Sequence, residues 1–326
     1  MVNAGGDDYG LGDLAPLPGF SKENLDEARL RWEAIWGRVS RWGAPETPEE
    51  LAALSSELDE ATTEVPSLRY ALELALADLA ARRAGVGLAQ WLSPDAHDDI
   101  EVNALLHSDD PVTLAAQAQG AFTNGFRTFK IKVAVKPVAL DIERVTAVRA
   151  AVPEANLRLD ANEGWSEGQM AEAFPSFSKL RLEFVEQPLP VGQAALARRY
   201  SREYGIPLAL DEEIGSVEDA KRLIAEGMCD GVVLKPMIGG GLLENLSLAR
   251  LGHQAGVKVI FTSTWESDVG LAGTLHLACA AGLAAAPCGL STAGMISDGL
   301  VRPPLAIREG TLSLRGMIGI GVQTVS

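Results

Sequence analysis

The feature that most constrains the fold is a regular alternation of short β-rich runs with helical stretches, which begins near residue 100. The β-rich runs lie at 100–106, 128–133, 157–160, 182–186, 207–211, 231–235, 257–262 and, more weakly, 286–290. The helical stretches between them include 137–151, 166–177, 217–227 and 242–255. Strands that alternate with helices form a parallel sheet, and eight such units are enough to close a barrel. We therefore predict an α/β fold with a (β/α) barrel over residues 99–298.

An open, doubly wound sheet is the alternative arrangement of the same elements. No GxGxxG motif follows the early strands, as it would in a dinucleotide-binding sheet of that kind. The run Gly239-Gly240-Gly241 does follow a strand, but a lone glycine run is weak evidence for a phosphate site. The closed barrel remains the favoured prediction.

The first 98 residues have a mainly helical pattern and are predicted to form a smaller, separate domain. Ser21 is a candidate N-cap for a first helix with an apolar stripe along one face. Thr47, followed by proline and two glutamates, is a good second helix start. Ser67 is expected to open a third helix that stops at Gly85. The final segment, 299–326, reads as short strands with glycine turns and is expected to return to this domain.

Composition excludes several classes of partner. The formal net charge of −16 argues against nucleic acid and against an anionic membrane surface. Cys229, Cys279 and Cys288 form no CxxC pair, which predicts free, buried thiols in a reducing compartment. The N-terminus has no signal-peptide pattern, so we expect a cytoplasmic protein. The uncharged stretch Val269–Cys288 is predicted to be a buried barrel helix rather than a membrane span.

Charged residues close several of the apolar runs. Lys130 and Lys132 lie in the second run, and the next four runs end at Asp160, Glu186, Asp211 and Lys235. Because function sits at the carboxyl ends of barrel strands, these side chains are predicted to meet at one rim. Three neighbouring carboxylates repel one another, so a cation should bind between them. Oxygen ligands without Cys or His favour Mg²⁺, or Mn²⁺, over Zn²⁺.

The lysines predict proton chemistry beside this metal site. Lys130 and Lys132 are two residues apart on one strand, so both should project into the site. A neighbouring like charge lowers the pKa of a lysine and favours a free amine that acts as a base. Lys235 should approach from the opposite wall. A cation and ammonium groups stabilise the enediolate that forms when a carboxylate-bearing carbon acid is deprotonated, so we expect a small carboxylate substrate.

The motifs that carry these residues resemble a known family. The segments FKIKV, LRLDANEGW, EFVEQPLP, ALDEEI, VVLKP and FTSTWESDVGL occur in this order. Together they resemble the muconate-lactonising subgroup of the enolase superfamily, which has a modified TIM barrel and a smaller α+β capping domain. The segment GLGDLAPLPGF resembles the o-succinylbenzoate synthase branch of that subgroup.

This resemblance implies a specific lyase reaction. Lys132 would remove the α-proton of 2-succinyl-6-hydroxy-2,4-cyclohexadiene-1-carboxylate and then protonate the departing hydroxyl in a syn elimination. The product would be o-succinylbenzoate, in menaquinone or phylloquinone synthesis. Lys235 would stabilise the enediolate, and Glu212 would lie just behind the metal ligands. The expected substrate contacts are Lys130, Asn162, Thr262, Ser263 and Thr264.

Two departures from the family pattern keep other functions open. Only about ten residues precede GLGDLAPLPGF, and they are expected to be unstructured, so the capping domain is predicted to lack its first strands and closing loop. The eighth run, Gly289–Gly294, has no acid, unlike dipeptide epimerases of the subgroup. The alternatives are an N-acylamino acid racemase, a cycloisomerase, or a non-catalytic metal-binding remnant. Both a monomer and a homo-oligomer are compatible with the sequence.

Overall fold

The computed structural model describes residues 2–5, 8–282, 286–292 and 301–324. It begins with an antiparallel hairpin of β1 (Val2–Gly5) and β2 (Asp8–Gly10). The prediction that the first ten residues are unstructured is therefore wrong for these two strands. The two strands are short and pair with each other, so they leave no periodic pattern in the sequence that would predict them.

Five helices follow: α1 (Leu25–Val39), α2 (Pro48–Ala53), α3 (Ser55–Ala61), α4 (Pro66–Ala84) and α5 (Leu88–Leu92). The first begins later than predicted because Asn24, not Ser21, caps it in a capping box with Glu27. The Ser21 hydroxyl instead accepts a hydrogen bond from the backbone N–H of Leu17. The α2 start at Thr47 is confirmed, and α4 ends at a left-handed Gly85 as predicted.

Strands and helices then alternate. Their order is β3 (Asp99–Glu101), β4 (Ala104–Leu106), α6 (Pro111–Thr123), β5 (Thr128–Lys132), α7 (Val138–Ala151), β6 (Asn156–Asp160), α8 (Glu167–Phe177), β7 (Phe184–Glu186), α9 (Ala194–Tyr204), β8 (Leu208–Leu210), α10 (Val217–Ala225), β9 (Gly231–Leu234), α11 (Pro236–Gly239), α12 (Leu242–Gln254), β10 (Lys258–Phe261) and α13 (Asp268–Ala281). The tail adds β11 (Val301–Arg302), β12 (Thr311–Ser313) and β13 (Gln323–Thr324).

Strands β4 to β10 form one parallel sheet in chain order. The run near 286–290 completes the ring without forming a regular strand. Cys288 bridges to Val102 beside β4, and Gly289 bridges to Thr262 beyond β10. The Gly289 N–H donates to the carbonyl of Phe261 over 2.8 Å. The predicted closed barrel is confirmed.

The first predicted barrel strand is divided. Only β4 joins the barrel, whereas β3 pairs antiparallel with β12, which matches Ile100 to Leu312. Both of these side chains are buried, so the tail gains its own apolar contact by pairing there. Residues 293–300, which include the predicted boundary at 298, lie outside the described part of the chain.

Side-chain alternation along the strands sorts residues between the barrel interior and the surrounding helices. Phe184, Ala209, Val233 and Ile260 form a small apolar cluster of their own inside the ring. Glu186, Asp211 and Lys235 lie two residues beyond Phe184, Ala209 and Val233, so their side chains also point inward, above this layer. Helix α13 is almost wholly buried, as predicted for the stretch that starts at Val269, but it ends at Ala281, and Cys288 lies in the run that closes the barrel. No helix in the described residues is long and apolar enough to cross a membrane.

Candidate active site

The strand register brings the predicted charged residues to one rim of the barrel. Lys132 is the neighbour of Asp160 across β5 and β6, and Asp160 is the neighbour of Glu186 across β6 and β7. Asp211 directly follows β8, and Lys235 directly follows β9. The three carboxylates are buried, with exposed fractions of 1%, 1% and 5% in chain order.

Ammonium groups alternate with these carboxylates. The Lys130 Nζ lies 2.7 Å from Glu186 Oε1 and 2.8 Å from Asp160 Oδ2. The Lys132 Nζ lies 2.6 Å from the same oxygen of Asp160. The Lys235 Nζ lies 2.6 Å from both carboxylate oxygens of Asp211. Each buried acid therefore has a cationic partner, as buried charges require.

The balance of charge sets the proton affinities at the rim. Burial opposes the charged form of Lys130, but Glu186, Asp160 and Asp211 together raise its pKa above the ordinary value. The pKa of Lys235 is raised in the same way, chiefly by Asp211. The carboxylates that lie within hydrogen-bond distance of Lys130 therefore favour its ammonium form.

Glu186 and Asp160 differ despite similar burial. Burial and the negative charge of Asp160 raise the pKa of Glu186 to about 8. Burial also disfavours the charged form of Asp160, but Lys130 and Lys132 outweigh it and lower its pKa to about 2. The two pKa values differ because the ammonium groups of Lys130 and Lys132 both contact Asp160, whereas Glu186 has the Lys130 ammonium as its partner and lies beside another acid.

The donor chemistry of Asp160, Glu186 and Asp211 fits an oxygen-preferring divalent cation. Three buried carboxylates on consecutive strands offer the oxygen ligands that such an ion prefers. In residues 8–282, 286–292 and 301–324, however, no three acidic, His or Cys side chains lie close enough to share one ion. In the described arrangement the ammonium groups bind these oxygens instead.

A cavity of about 200 Å³ opens at this rim. Lys132 and Lys235 line it together with Asp160 and Asp211. The segment between β2 and α1 covers it with Leu17 and Phe20, and other walls come from Trp265, Ser291 and Thr292. None of these five residues is predicted as a site residue from the sequence. They lie on loops, whose positions depend on contacts distant in sequence, although GLGDLAPLPGF had marked the first two.

The Phe20 ring is close to the chemical groups. Its centroid lies 5.5 Å from the Lys235 Nζ, within the range of a cation–π contact. About half of the Phe20 side chain is exposed. The N-terminal segment therefore contributes an aromatic surface to the cavity, directly beside one of the two lysines.

Asn162 and Glu212 form a chain of contacts behind Lys132. The Asn162 Oδ1 accepts a hydrogen bond from the Lys132 ammonium, and its Nδ2 donates to Glu212 Oε1 over 2.8 Å. The backbone N–H of Asn162 donates to Asp160 Oδ1 over 3.0 Å. Asn162 is thus held from three sides, and it fixes the direction from which Lys132 enters the cavity.

Thr262, Ser263 and Thr264 lie together on the wall that follows β10. The Thr262 hydroxyl donates to the carbonyl of Gly289 over 3.1 Å. The hydroxyls of Ser263 and Thr264 both contact the carboxylate of Glu266. The structure therefore brings these three residues to the cavity and adds Glu266, which the sequence analysis did not identify.

Comparison with protein families assigns the chain. The family described as "Enolase C-terminal domain-like" matches residues 113–325, well over half of the sequence. The chain belongs to the enolase superfamily. An o-succinylbenzoate synthase from Yersinia enterocolitica is 31% identical over 277 residues, which cover 84% of this chain and 75% of that protein. This superfamily member also has relatives with other activities.

An L-Ala-D/L-Glu epimerase from Clostridium acetobutylicum is 29% identical over 235 residues, 71% of this chain and 65% of that protein. A chloromuconate cycloisomerase from Cupriavidus necator is 28% identical over 269 residues, 81% of this chain and 72% of that protein. These identities are so similar that they do not select one activity for this superfamily member.

Solved structures agree with the fold. A dipeptide epimerase from Enterococcus faecalis V583 superimposes with a TM-score of 0.87 at 25% identity, over 96% of this chain and 90% of that one. A crystal structure of the same epimerase holds Mg and the dipeptide L-Leu-L-Tyr. The superposition supports the predicted modified TIM barrel with a smaller capping region.

Proposed function

We propose that this superfamily member dehydrates 2-succinyl-6-hydroxy-2,4-cyclohexadiene-1-carboxylate to o-succinylbenzoate, as a carbon–oxygen lyase. The observation that carries the proposal is the pair Lys132 and Lys235, which enter one small cavity from strands β5 and β9 beside buried carboxylates. Three strands separate the two lysines around the ring, so a substrate between them has an amine near each face.

In this proposal Lys132, in its amine form, removes the proton from the carbon that bears the substrate carboxylate. The electron pair of the broken C–H bond passes into an enediolate. The new ammonium of Lys132 then donates its proton to the hydroxyl on the adjacent carbon, on the same face. The C–O bond breaks, water leaves, and the ring becomes aromatic. Lys132 returns to its amine form.

Other residues of the rim support this reaction in stated ways. The Lys235 ammonium stays protonated, and its charge stabilises the enediolate from the opposite wall. Asn162, backed by Glu212, directs Lys132 towards the acidic carbon. We propose Lys130, Asn162, Thr262, Ser263 and Thr264 as contacts of the substrate. When bound by Asp160, Glu186 and Asp211, Mg²⁺ or Mn²⁺ would stabilise negative charge on the substrate carboxylate.

The o-succinylbenzoate synthase relatives support a role in menaquinone or phylloquinone synthesis, because this reaction supplies the aromatic precursor of those quinones. Racemisation of an N-acylamino acid is the second candidate. It is favoured by the two lysines on opposite walls, since one would remove a proton and the other would return it. Epimerisation of a dipeptide is disfavoured, because the closing segment 286–292 has no acid to pair with the dipeptide's ammonium group.

The two candidates are separated by supplying both substrates to the purified protein with Mg²⁺. Formation of the aromatic product is followed by absorbance, and α-proton exchange into N-succinylamino acids is followed by NMR in D₂O. Rapid formation of o-succinylbenzoate is expected. Proton exchange without any aromatic product would replace the dehydratase proposal with the racemase. If the protein catalysed neither reaction, both candidate functions would be contradicted.

A further inference from the structure

The wall that follows β10 is organised by one buried acid. Glu266 is only 3% exposed. Its Oε2 accepts hydrogen bonds from the backbone N–H of Thr264, from the Thr264 hydroxyl at 2.9 Å and from the Ser263 hydroxyl at 3.1 Å. Within the described ranges no Lys or Arg pairs with this carboxylate. Burial raises the pKa of Glu266, whereas the hydrogen bonds from Thr264 and Ser263 act in the opposite direction and stabilise its carboxylate form.

Every hydroxyl of the wall donates its proton away from the cavity. A serine or threonine hydroxyl has one proton and two lone pairs. The protons of Ser263 and Thr264 are held by Glu266, and that of Thr262 is held by the carbonyl of Gly289. Thr262, Ser263 and Thr264 line the cavity, so the lone pairs left on their hydroxyl oxygens are the hydrogen-bonding groups that these side chains offer to its contents.

Glu266 makes this polarity hard to reverse. An ionised carboxylate only accepts hydrogen bonds. If either hydroxyl turned its proton towards a ligand, a buried charge would lose a donor that nothing else in the wall supplies. Ser263 is held further because its oxygen also accepts from the backbone N–H of Trp265 over 3.1 Å.

We infer that Glu266 is a positioning residue that fixes this wall as a hydrogen-bond acceptor, so the site selects carbon acids that present an N–H or O–H group there. A carboxylate or an ester oxygen at the same place meets lone pairs and is rejected. The inference rests on the proposed function only in placing the ligand between Lys132 and Lys235. In the proposed dehydration the wall takes a substrate hydroxyl, and the substrate carboxylates lie with the ammonium groups.

The test uses two ligands of the same shape. N-succinyl-L-phenylalanine has an amide N–H, and O-succinyl-L-3-phenyllactate has an ester oxygen at that position. Calorimetric titration with Mg²⁺ present gives the two dissociation constants. Wild type is expected to bind the amide at least about tenfold more tightly, because a site built to receive a donor discriminates against its absence.

Variants connect this selectivity to Glu266. Glu266→Gln supplies an amide donor to the wall, so hydroxyl protons become free to turn towards the cavity. The affinity for the amide relative to that for the ester should then fall to about threefold or less. Ser263→Ala removes one fixed acceptor with little risk to folding and should narrow the ratio less. The exposed Glu218→Gln, which pairs with Lys221 on the surface, should keep the wild-type ratio.

Equal affinity of wild type for the two ligands, binding of neither, or a wild-type ratio in both Glu266→Gln and Ser263→Ala would overturn the inference. Dehydration of the cyclohexadiene substrate is measured on the same preparations. If the protein binds the amide more tightly than the ester but forms no aromatic product, the proposed function is contradicted and the inference about Glu266 still holds. If the protein forms the aromatic product but binds the amide and the ester equally well, only the inference about Glu266 is contradicted.

Discussion

At the scale of single residues, Gly289 shows how closely the cavity wall is packed. A Cβ at this position would overlap Thr262 Oγ1 and lie 2.9 Å from Thr262 Cβ. The hydroxyl of Thr262 is in turn bonded to the carbonyl of Gly289. Only a residue without a side chain lets the closing segment approach β10 so closely.

We therefore predict that Gly289→Ala displaces Thr262 and lowers both stability and turnover. Overpacking of this kind costs about 1–3 kcal/mol. Urea unfolding and the kcat/KM of the dehydration measure the two effects. Gly168→Ala on α8 is the control, because nothing lies within 4 Å of the added Cβ. A Gly289→Ala protein as stable and active as that control would contradict the packing described.

His276 is a second residue with a measurable consequence. It is fully buried on α13, and its Nδ1 accepts a hydrogen bond from the backbone N–H of Ala89. Burial lowers its pKa from 6.5 to about 4. The folded protein therefore keeps this ring neutral at pH values where the unfolded chain binds a proton.

This difference predicts how stability depends on pH. The contribution of His276 is fully present above about pH 6.5 and is lost as the pH falls towards 4, by about 3 kcal/mol at most. Urea unfolding at pH 5 and pH 7 measures it. His276→Gln should flatten this dependence, and the exposed His107→Gln should not. Equal slopes in the two variants would contradict the assignment.

At the scale of elements, α4 joins the two ends of the chain. Asp78 on this helix is fully buried, and its oxygens accept from the backbone N–H groups of Leu11 and Ile320 at 2.9 and 2.8 Å. Its partner Arg82 donates to the carbonyl of Val322. One carboxylate thus binds the segment that leads to the cavity cover and the C-terminal tail.

Asp78→Ala is predicted to destabilise the protein by about 3–5 kcal/mol, because Arg82 and two backbone N–H groups lose a buried partner. Chemical unfolding measures the change. Asp95→Ala, at an exposed loop position, is the control and should be neutral. A loss below about 1 kcal/mol in Asp78→Ala would show that other contacts hold the two ends.

The elements also show which parts of the fold are predictable from the sequence. The barrel strands are buried on both faces and end in charged residues at regular intervals, so local patterns identify them. The pairing of β3 with β12 joins Ile100 to Leu312 across most of the chain, and no local pattern reports it. The position of Leu17 and Phe20 over the cavity is unpredictable for the same reason, since a loop is placed by contacts with residues distant in the sequence.

At the scale of the whole molecule, the rim combines three buried acids with three lysines in a chain whose net charge is −16. The residue types and spacing were predicted because charges that end buried strands need partners. The pairing of each acid with an ammonium group was not predicted. A metal ion and a lysine can each satisfy a buried carboxylate, and the sequence does not show which of them binds it.

Metal binding by Asp160, Glu186 and Asp211 is therefore tested on stability rather than on turnover. If Mg²⁺ binds the folded protein and not the unfolded chain, a free Mg²⁺ concentration of one hundred times its Kd raises the free energy of unfolding by about 2.7 kcal/mol. Thermal unfolding with and without Mg²⁺ measures this. Asp211→Asn should remove the increment, and Asp95→Asn should keep it. An equal increment in both variants would place the ion elsewhere.

Lys132 is central to the proposed reaction, because it is the group that moves the substrate proton. The most direct measurement is the rate of aromatic product formation by Lys132→Ala beside Lys136→Ala, a surface lysine paired with Asp109. We predict that Lys132→Ala loses about 10²- to 10⁴-fold in turnover, as expected for removal of a general base, while Lys136→Ala retains the wild-type rate. A Lys132→Ala protein that forms o-succinylbenzoate at the wild-type rate would contradict the central claim.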